Sequence, residues 1–418
     1  MANRPSMRKY GVVVALFILS MITYVDRTSI STAKDPIAAE LHLSDRNMGM
    51  VFSTFALGYA FMQFPTGWLA DIAGPRAVLA GTVGWWSILT IFTGKAWSFA
   101  SLLVIRFLFG AGEAAVFPAS ARAIQNWLEP GQRGRANGAL FAGSRLGAAL
   151  SYPLLISMLS IWNWRDAFLV LGCVGLVWSL AWFVWFRDFP PDEPIIYPMT
   201  DRCVNDADMS RLSVSAPLYL AFLQYFASNF TNFICLSWMF PYLKAQYHLT
   251  NGSAAVYSMA PLLLGATSLG ITGWTVDRIF SSPLRAWSRR FPAMLGFSLA
   301  AAGLLGVTRA GSVEMAVISF TIAIFGADMT ISPSWVFCAD IAGKRTGRIS
   351  GLLNMFGSIG AFASANAFPF LEQRTGNSST YFLLAALLDV TGVFCWFRMR
   401  SVPFHQTVRD GYAVENGQ

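Results

Sequence analysis

Long apolar runs recur from Tyr10 to Met399 with only short polar breaks between them. Each run is long enough to cross a bilayer, which takes about 20 residues of helix. Such a chain sets most of its surface against lipid or protein. Of its 418 residues 55% are apolar and only 12% charged, where a soluble domain carries about a quarter charged. The runs predict helices near 10–32, 47–66, 76–94, 99–127, 136–160 and 166–186, then near 215–242, 253–274, 291–309, 313–338, 349–371 and 379–398. The expectation is an all-α integral membrane protein of twelve spans. It divides into a six-helix bundle over 1–186, a polar linker over 187–214, a second bundle over 215–400 and a tail over 401–418. The linker reading rests on the cluster of Asp188, Pro190, Pro191, Asp192, Glu193, Pro194 and the acids that follow.

Arg8 and Lys9 before the first run could imitate a secretory signal. That run ends in Asp26 and Arg27 and is followed by eleven more of its kind, so it reads as the first span. A net charge of +8 would fit nucleic acid only if the basic residues shared one soluble face, and here they sit in short clusters between apolar runs. Lys and Arg are enriched in cytoplasmic loops. Placing the N-terminus inside puts 20 of the 30 basic residues on that side and only seven outside. Both termini are therefore expected in the cytoplasm. The five cysteines show no metal-ligand or redox spacing and read as small buried hydrophobes.

The chain also repeats itself. Arg133 to Ala148 (RGRANGALFAGSRLGA) and Thr346 to Ala361 (TGRISGLLNMFGSIGA) agree at six of sixteen positions, 213 residues apart. Gly67 with Asp71 and Gly273 with Asp277 correspond at an offset of 206. Two halves repeated in the same orientation predict a cavity between two bundles and alternating access by rocking of one against the other.

Charges within spans are costly and normally functional. Asp26, Arg27, Arg106, Glu113 and Arg145 all lie in spans of the first half. Arg106 and Glu113, seven residues apart, share one helix face. Arginine offers a carboxylate two parallel hydrogen bonds and stays charged. Three arginines against two acids thus suit an anion. Burial disfavours an ionised carboxyl and a nearby arginine favours it, so an anion that occupies the arginine can tip the acid toward taking a proton. Asp26 and Glu113 are expected to carry protons, Arg27 to bind the anion first, and Arg106 and Arg145 to support it. A purely structural set of ion pairs joining spans one, four and five stays open. Asp328 and Asp389 read as polar packing or helix-end groups.

Gly67-Trp-Leu-Ala-Asp71-Ile-Ala-Gly74-Pro-Arg76 resembles the signature loop of the major facilitator superfamily, with Ile72 where a basic residue usually follows the acid. Asp277-Arg278 keeps that pair in the second half. Within the superfamily the chain resembles the anion:cation symporter branch of bacterial sugar-acid permeases and animal sialic acid and vesicular glutamate transporters. The resembling stretches are Tyr24-Val-Asp26-Arg27, Tyr59 with Gln63-Phe-Pro65, Arg106 through Glu113 to Pro118, Gly143-Ser144-Arg145-Leu-Gly147, Trp238 with Pro241-Tyr242, and Asn354 with Gly357.

The resemblance implies proton-coupled import of a small organic anion, such as an aldonate, hexuronate or aldarate, across a bacterial cytoplasmic membrane by a monomer. It also implies that Tyr24, Tyr59, Ser144, Ser332, Ser334 and Asn354 line the cavity. Gly67, Asp71, Arg76, Asp277 and Arg278 would form the conformational gate. Aromatic and dicarboxylic acids fit the same arginines, and a nutrient sensor that binds without transporting is an alternative. No cofactor is expected: a Walker-type phosphate loop is absent, so an ion gradient is the expected energy source. An enzyme is not expected, because His42, His248 and His405 all fall in loops or the tail.

Overall fold

The computed structural model describes residues 7–190 and 216–399. Most of the expected linker and all of the expected tail lie outside those residues. Inside a bilayer every backbone group must be satisfied within its own segment, which makes each apolar run a helix. The helices are α1 (Met7–Thr32), α2 (Lys34–Glu40), α3 (Asp45–Thr93), α4 (Phe99–Glu113), α5 (Val116–Trp127), α6 (Arg133–Ile161) and α7 (Trp164–Trp185). Then follow α8 (Ala216–Ser237), α9 (Met239–Gln246), α10 (Asn251–Phe280), α11 (Arg290–Val307), α12 (Val313–Met329), α13 (Ile331–Ala342), α14 (Thr346–Thr375) and α15 (Ser379–Arg398). Among the described residues there is no strand. Large apolar side chains such as Phe61, Val177, Leu180, Val256 and Phe362 are exposed around the helices, as a lipid-facing surface requires.

With the short α2 and α9 not counted as spans of their own, three breaks turn these helices into twelve spans. Spans two and three form one continuous α3, broken at Gly74, whose φ of 80° and ψ of 152° suit a residue without Cβ. Span four is α4 plus α5, and span ten is α12 plus α13. Pro118 and Pro333 are each the third residue of the second piece, 215 residues apart, and neither has an N–H for the carbonyl four positions back. Pro153 coincides with a 40° bend in α6, whereas α14 runs through Pro369.

The chain forms two compact units. The first comprises Met1–Leu128, Ala139–Asp192 and Arg345–Met355; the second comprises Glu129–Gly138, Glu193–Lys344 and Phe356–Gln418. The opening of α6 thus packs with the second unit and that of α14 with the first. The second unit centres on Phe230, Leu304, Phe320, Phe368, Tyr381 and Phe382.

The repeat extends to a helix-end motif that the sequence reading did not use. His42 (φ 52°) and His248 (φ 51°), 206 residues apart, both sit in the left-handed region after α2 and α9. Leu43 N–H returns to Ala38 O at 2.9 Å and Leu249 N–H to Lys244 O at 3.1 Å, the pattern of a Schellman end. Ser44 and Thr250 then cap the next helix through Asn47 N–H and Ser253 N–H, both at 3.2 Å.

Candidate functional site

In the first unit, α1 carries Tyr24, Asp26 and Arg27, α3 carries Phe55, Tyr59 and Trp86, and α4 carries Arg106, Phe109 and Glu113. Glycines let the helices meet closely: a Cβ on Gly110 would strike the Phe55 carbonyl, and one on Gly58 the Phe107 carbonyl. Arg27 donates from Nε at 2.9 Å and from Nη2 at 2.7 Å, both to Oε1 of Glu113. The other Glu113 oxygen, Oε2, is buried without a hydrogen-bond partner. Three rings surround the guanidinium, with centroids 4.8 Å (Tyr24), 5.1 Å (Phe55) and 4.7 Å (Tyr59) from Cζ. Rings so placed attract a cation and fix its plane. The Arg27 side chain is 23% exposed while that of Glu113 is fully buried. Of this cluster's four charges, Arg27 is therefore the one a solute can reach.

Arg106 lies under the same aromatic layer, 5.0 Å from Phe55 and 4.6 Å from Phe109, and its Nε has no hydrogen-bond partner. Asp26 accepts from Trp86 Nε1 at 3.3 Å through Oδ2, and its Oδ1 is unpartnered. Two arginines and two acids, three of whose buried atoms lack partners, make an unusual cluster. Each such atom costs about 1–3 kcal/mol, more when charged. The cluster therefore has capacity for protons on its acids and for an oxyanion on its arginines. At its edge Asn354 Nδ2 donates to Tyr59 Oη at 3.0 Å.

At the arginine-rich ends of the helices, two acids bind backbone in the same way. In the first unit Asp71 accepts from Gly347 N–H at 2.8 Å and Arg348 N–H at 2.9 Å, with Arg348 Nε at 3.5 Å and Arg122 Nε at 4.0 Å. In the second unit Asp277 accepts from Gly134 N–H at 2.9 Å, Arg135 N–H at 2.8 Å and Arg135 Nε at 3.2 Å. Each acid sits at a helix N-terminus, where the unpaired N–H groups and the dipole favour negative charge. Gly67 and Gly273 make room: a Cβ on either would meet the carbonyl of Gly347 or of Gly134.

The family profile described as the Major Facilitator Superfamily matches residues 16–365. The chain belongs to that superfamily. It is 30% identical over 395 residues to a probable sulfoacetate transporter of Cupriavidus necator, covering 91% of this chain and 92% of that one. It is 29% identical to a hexuronate transporter of Bacillus subtilis (91% and 92% covered) and 26% identical to a D-galactonate transporter of Escherichia coli (92% and 94% covered). The fold matches the proton:xylose symporter XylE with a TM-score of 0.78 at 12% identity, covering 95% of this chain and 97% of that one. It also matches the human organic anion transporter MFSD10 with a TM-score of 0.73 at 16% identity, covering 94% and 100%. A twelve-span, multi-pass membrane transporter of this superfamily, not an enzyme, is thus established by family and fold together.

Within this major facilitator, the structure brings Tyr24, Asp26, Arg27, Tyr59, Arg106, Glu113 and Asn354 into one chain of contacts. Ser144 and Arg145 lie on α6 of the same unit, where the Ser144 hydroxyl donates to Phe141 O in its own helix at 2.6 Å. Ser332 and Ser334 belong to the second unit and are buried. Ser332 donates to Gly134 O at 2.9 Å, and Ser334 to Thr330 O at 2.6 Å and Gln224 Oε1 at 3.2 Å. Arg76 is placed away from Asp71. Its backbone N–H meets Asp188 Oδ1 at 2.8 Å and its guanidinium donates to Phe183 O at 2.9 and 2.7 Å, because the turn at Gly74 aims the second arm of α3 at Asp188. Arg278 is exposed. The basic partners of the two acids are Arg122, Arg348 and Arg135, which the sequence showed only as basic loop residues and, for Arg135 and Arg348, as a matched pair of the repeat. It also missed Asp340, which accepts from Arg133 Nη1 at 3.5 Å and Arg289 Nε at 3.1 Å, both arginines being buried. Phe55, four residues from Tyr59 on one helix face, was the legible sign of the aromatic layer.

Proposed function

We propose that this protein imports a small organic anion, a sugar acid such as an aldonate, hexuronate or aldarate, together with protons by alternating access. The observation that carries the reading is the Arg27–Glu113 pair. Arg27 is held in plane by three rings and spends its two assigned bonds on a single oxygen of Glu113. An incoming carboxylate competes for that fork; Glu113, losing its counter-charge in a buried place, then takes a proton. Asp26, with one unpartnered oxygen beside the same cluster, is the second proton carrier. Arg106 and Arg145 add positive charge, and Tyr24, Tyr59 and Asn354 offer hydrogen bonds to substrate hydroxyls. Ser144, Ser332 and Ser334 would join them only in a conformation that frees their hydroxyls.

The Asp71 and Asp277 cradles hold the arginine-rich ends of the helices in one state of the cycle and release them in the other. The working unit is a monomer in a bacterial cytoplasmic membrane, with bundles at 1–186 and 215–400 and no cofactor beyond the proton gradient. The relative named for sulfoacetate favours a second reading of the cargo, a short anion with two charges. Uptake of labelled sugar acids, aromatic acids and sulfoacetate into proteoliposomes, with an inward proton gradient and with a protonophore, separates these readings. Gradient-dependent accumulation of a sugar acid supports the first, and of sulfoacetate alone the second. Stabilisation by an acid that is never accumulated would mark a sensor.

A further inference from the structure

We propose that the arginine and aromatic shelf at the end of α10, the turn before α11 and the end of α15 binds the headgroup of an anionic phospholipid. The turn between α10 and α11 contains a single 3₁₀ turn, Arg285–Trp287. Arg285 and Arg289 flank the Phe280 ring at 4.1 and 4.4 Å. Arg290 stacks 4.4 Å from Trp287 and donates from Nε to Trp396 O at 3.1 Å and from Nη2 to Phe397 O. Those contacts tie the turn to the end of α15, where Arg398 is exposed. Arg278 and Arg285 are exposed as well.

A ring orients a guanidinium group without neutralising it, and among the described residues nearby acids are scarce. No Asp or Glu occurs from Arg278 to Ser312 or from Val390 to Met399. Asp277 is turned onto Gly134 and Arg135, and Asp340 is occupied by Arg133 and Arg289. Among the described residues, Arg278, Arg285 and Arg398 therefore leave a positive patch where three helices end.

The apolar neighbours choose the ligand. Leu284 (63% exposed), Trp287, Phe291 and Phe397 stand open beside the arginines and continue into the lipid-facing flanks of α11 and α15. A soluble anion would use the charges and leave those side chains in water, whereas a phospholipid places its phosphate on the arginines and its chains on Phe291 and Phe397. Basic groups at a membrane surface attract anionic lipid by about fivefold each, and tryptophan favours the headgroup level. The matching turn of the first unit, at Gly74 to Arg76, offers one arginine, and that one is bound to Phe183 and Asp188.

The test is native mass spectrometry and thermal unfolding of the purified full chain with phosphatidylglycerol or phosphatidylcholine added, using Arg285→Ala/Arg398→Ala and Arg285→Lys/Arg398→Lys. Both pairs spare the carbonyl bonds of Arg290, and thermal unfolding in plain detergent confirms that each variant is folded. Wild type should retain phosphatidylglycerol over phosphatidylcholine, the alanine pair should lose on the order of twentyfold in that preference, and the lysine pair should keep most of it. Equal retention of both lipids by wild type, or unchanged preference in the alanine pair, overturns the proposal. Inorganic phosphate stabilising as well as phosphatidylglycerol would reassign the shelf to a soluble anion and overturn it too.

Discussion

In the first unit the break before Pro118 leaves Glu113 at the end of α4, bonded to Arg27. In the second, the break before Pro333 leaves buried Asp328 near Gly265 and directs Thr330 to the Ser228 hydroxyl at 2.6 Å. Glu113 and Asp328 are 215 residues apart, the same offset as the two prolines. The backbone device is thus repeated while its contents are not. The first unit fills it with paired and part-satisfied charges. The second unit carries hydroxyl and amide contacts instead, including Thr231 with both oxygens of Asp389 at 3.0 Å and Gln224 with Ser334 and Trp396. Partly satisfied charges are poor packing material, because each uncompensated ion costs several kcal/mol, so their concentration in one unit points to work done there. The proposed transport chemistry is accordingly asymmetric on a symmetric scaffold.

The largest effect expected from this asymmetry is at Arg27. Arg27→Ala should lower anion affinity by about 100-fold or more, since it removes one partner of a buried charged pair, whereas Ser334→Ala in the second unit should change it less than about threefold. Isothermal titration with the transported acid measures both, and equal losses would erase the contrast. Next, Glu113→Gln should preserve counterflow of the anion while abolishing accumulation driven by a pH gradient, and Asp328→Asn should retain that coupling; uptake at matched and unmatched pH distinguishes them. Where the units are alike, the variants should be alike. Asp71→Ala and Asp277→Ala each lose charge-assisted bonds to two backbone N–H groups, worth about 1.5–3 kcal/mol apiece. Each should slow turnover severalfold with little change in affinity. A defect confined to one of them would show that the cradles are not equivalent.

The smallest effect lies at the rim of the first unit. Glu40 accepts from Trp164 Nε1 at 2.6 Å and Arg165 Nε at 2.9 Å. The Trp164 hydrogen bond, with that of Arg165, holds its carboxyl below the ordinary value. A lowered folded-state value means the contribution is present above the unfolded value and is lost as pH falls through the folded one. Glu40→Gln should therefore lower Tm by about 1–2 °C at neutral pH and not at all once acid has protonated wild type.

Twelve spans could be read from apolar run length, because hydrocarbon leaves a backbone no other way to satisfy its bonds, and most of their ends agree with the helices to within four residues. Helix α3 runs on to the break at Gly74 where an end near 66 was expected, α10 to Phe280 where 274 was expected, and the span expected over 215–242 is split into α8 and α9. The intramembrane charges were equally legible, since each is an exception that lipid penalises. What sequence could not supply was partner choice. Arg76 stands beside the signature acid in sequence, yet Gly74 turns it onto Asp188. Arg348 and Arg135 are distant in sequence, yet helix starts bring them to Asp71 and Asp277. Ser332 and Ser334 have the right chemistry for a ligand, and only packing reveals that their hydroxyls are already engaged. Spacing along one helix reports a shared face, while contacts across helices depend on where glycines let them approach.

The most direct test of anion–proton coupling through the Arg27–Glu113 pair is the internal pH of proteoliposomes as a transported acid is added outside in the absence of any imposed gradient. The account predicts acidification that follows anion entry, is saturable, and disappears in Glu113→Gln although that variant still exchanges anion. Anion entry by wild type without acidification, or full acidification in Glu113→Gln, would contradict it.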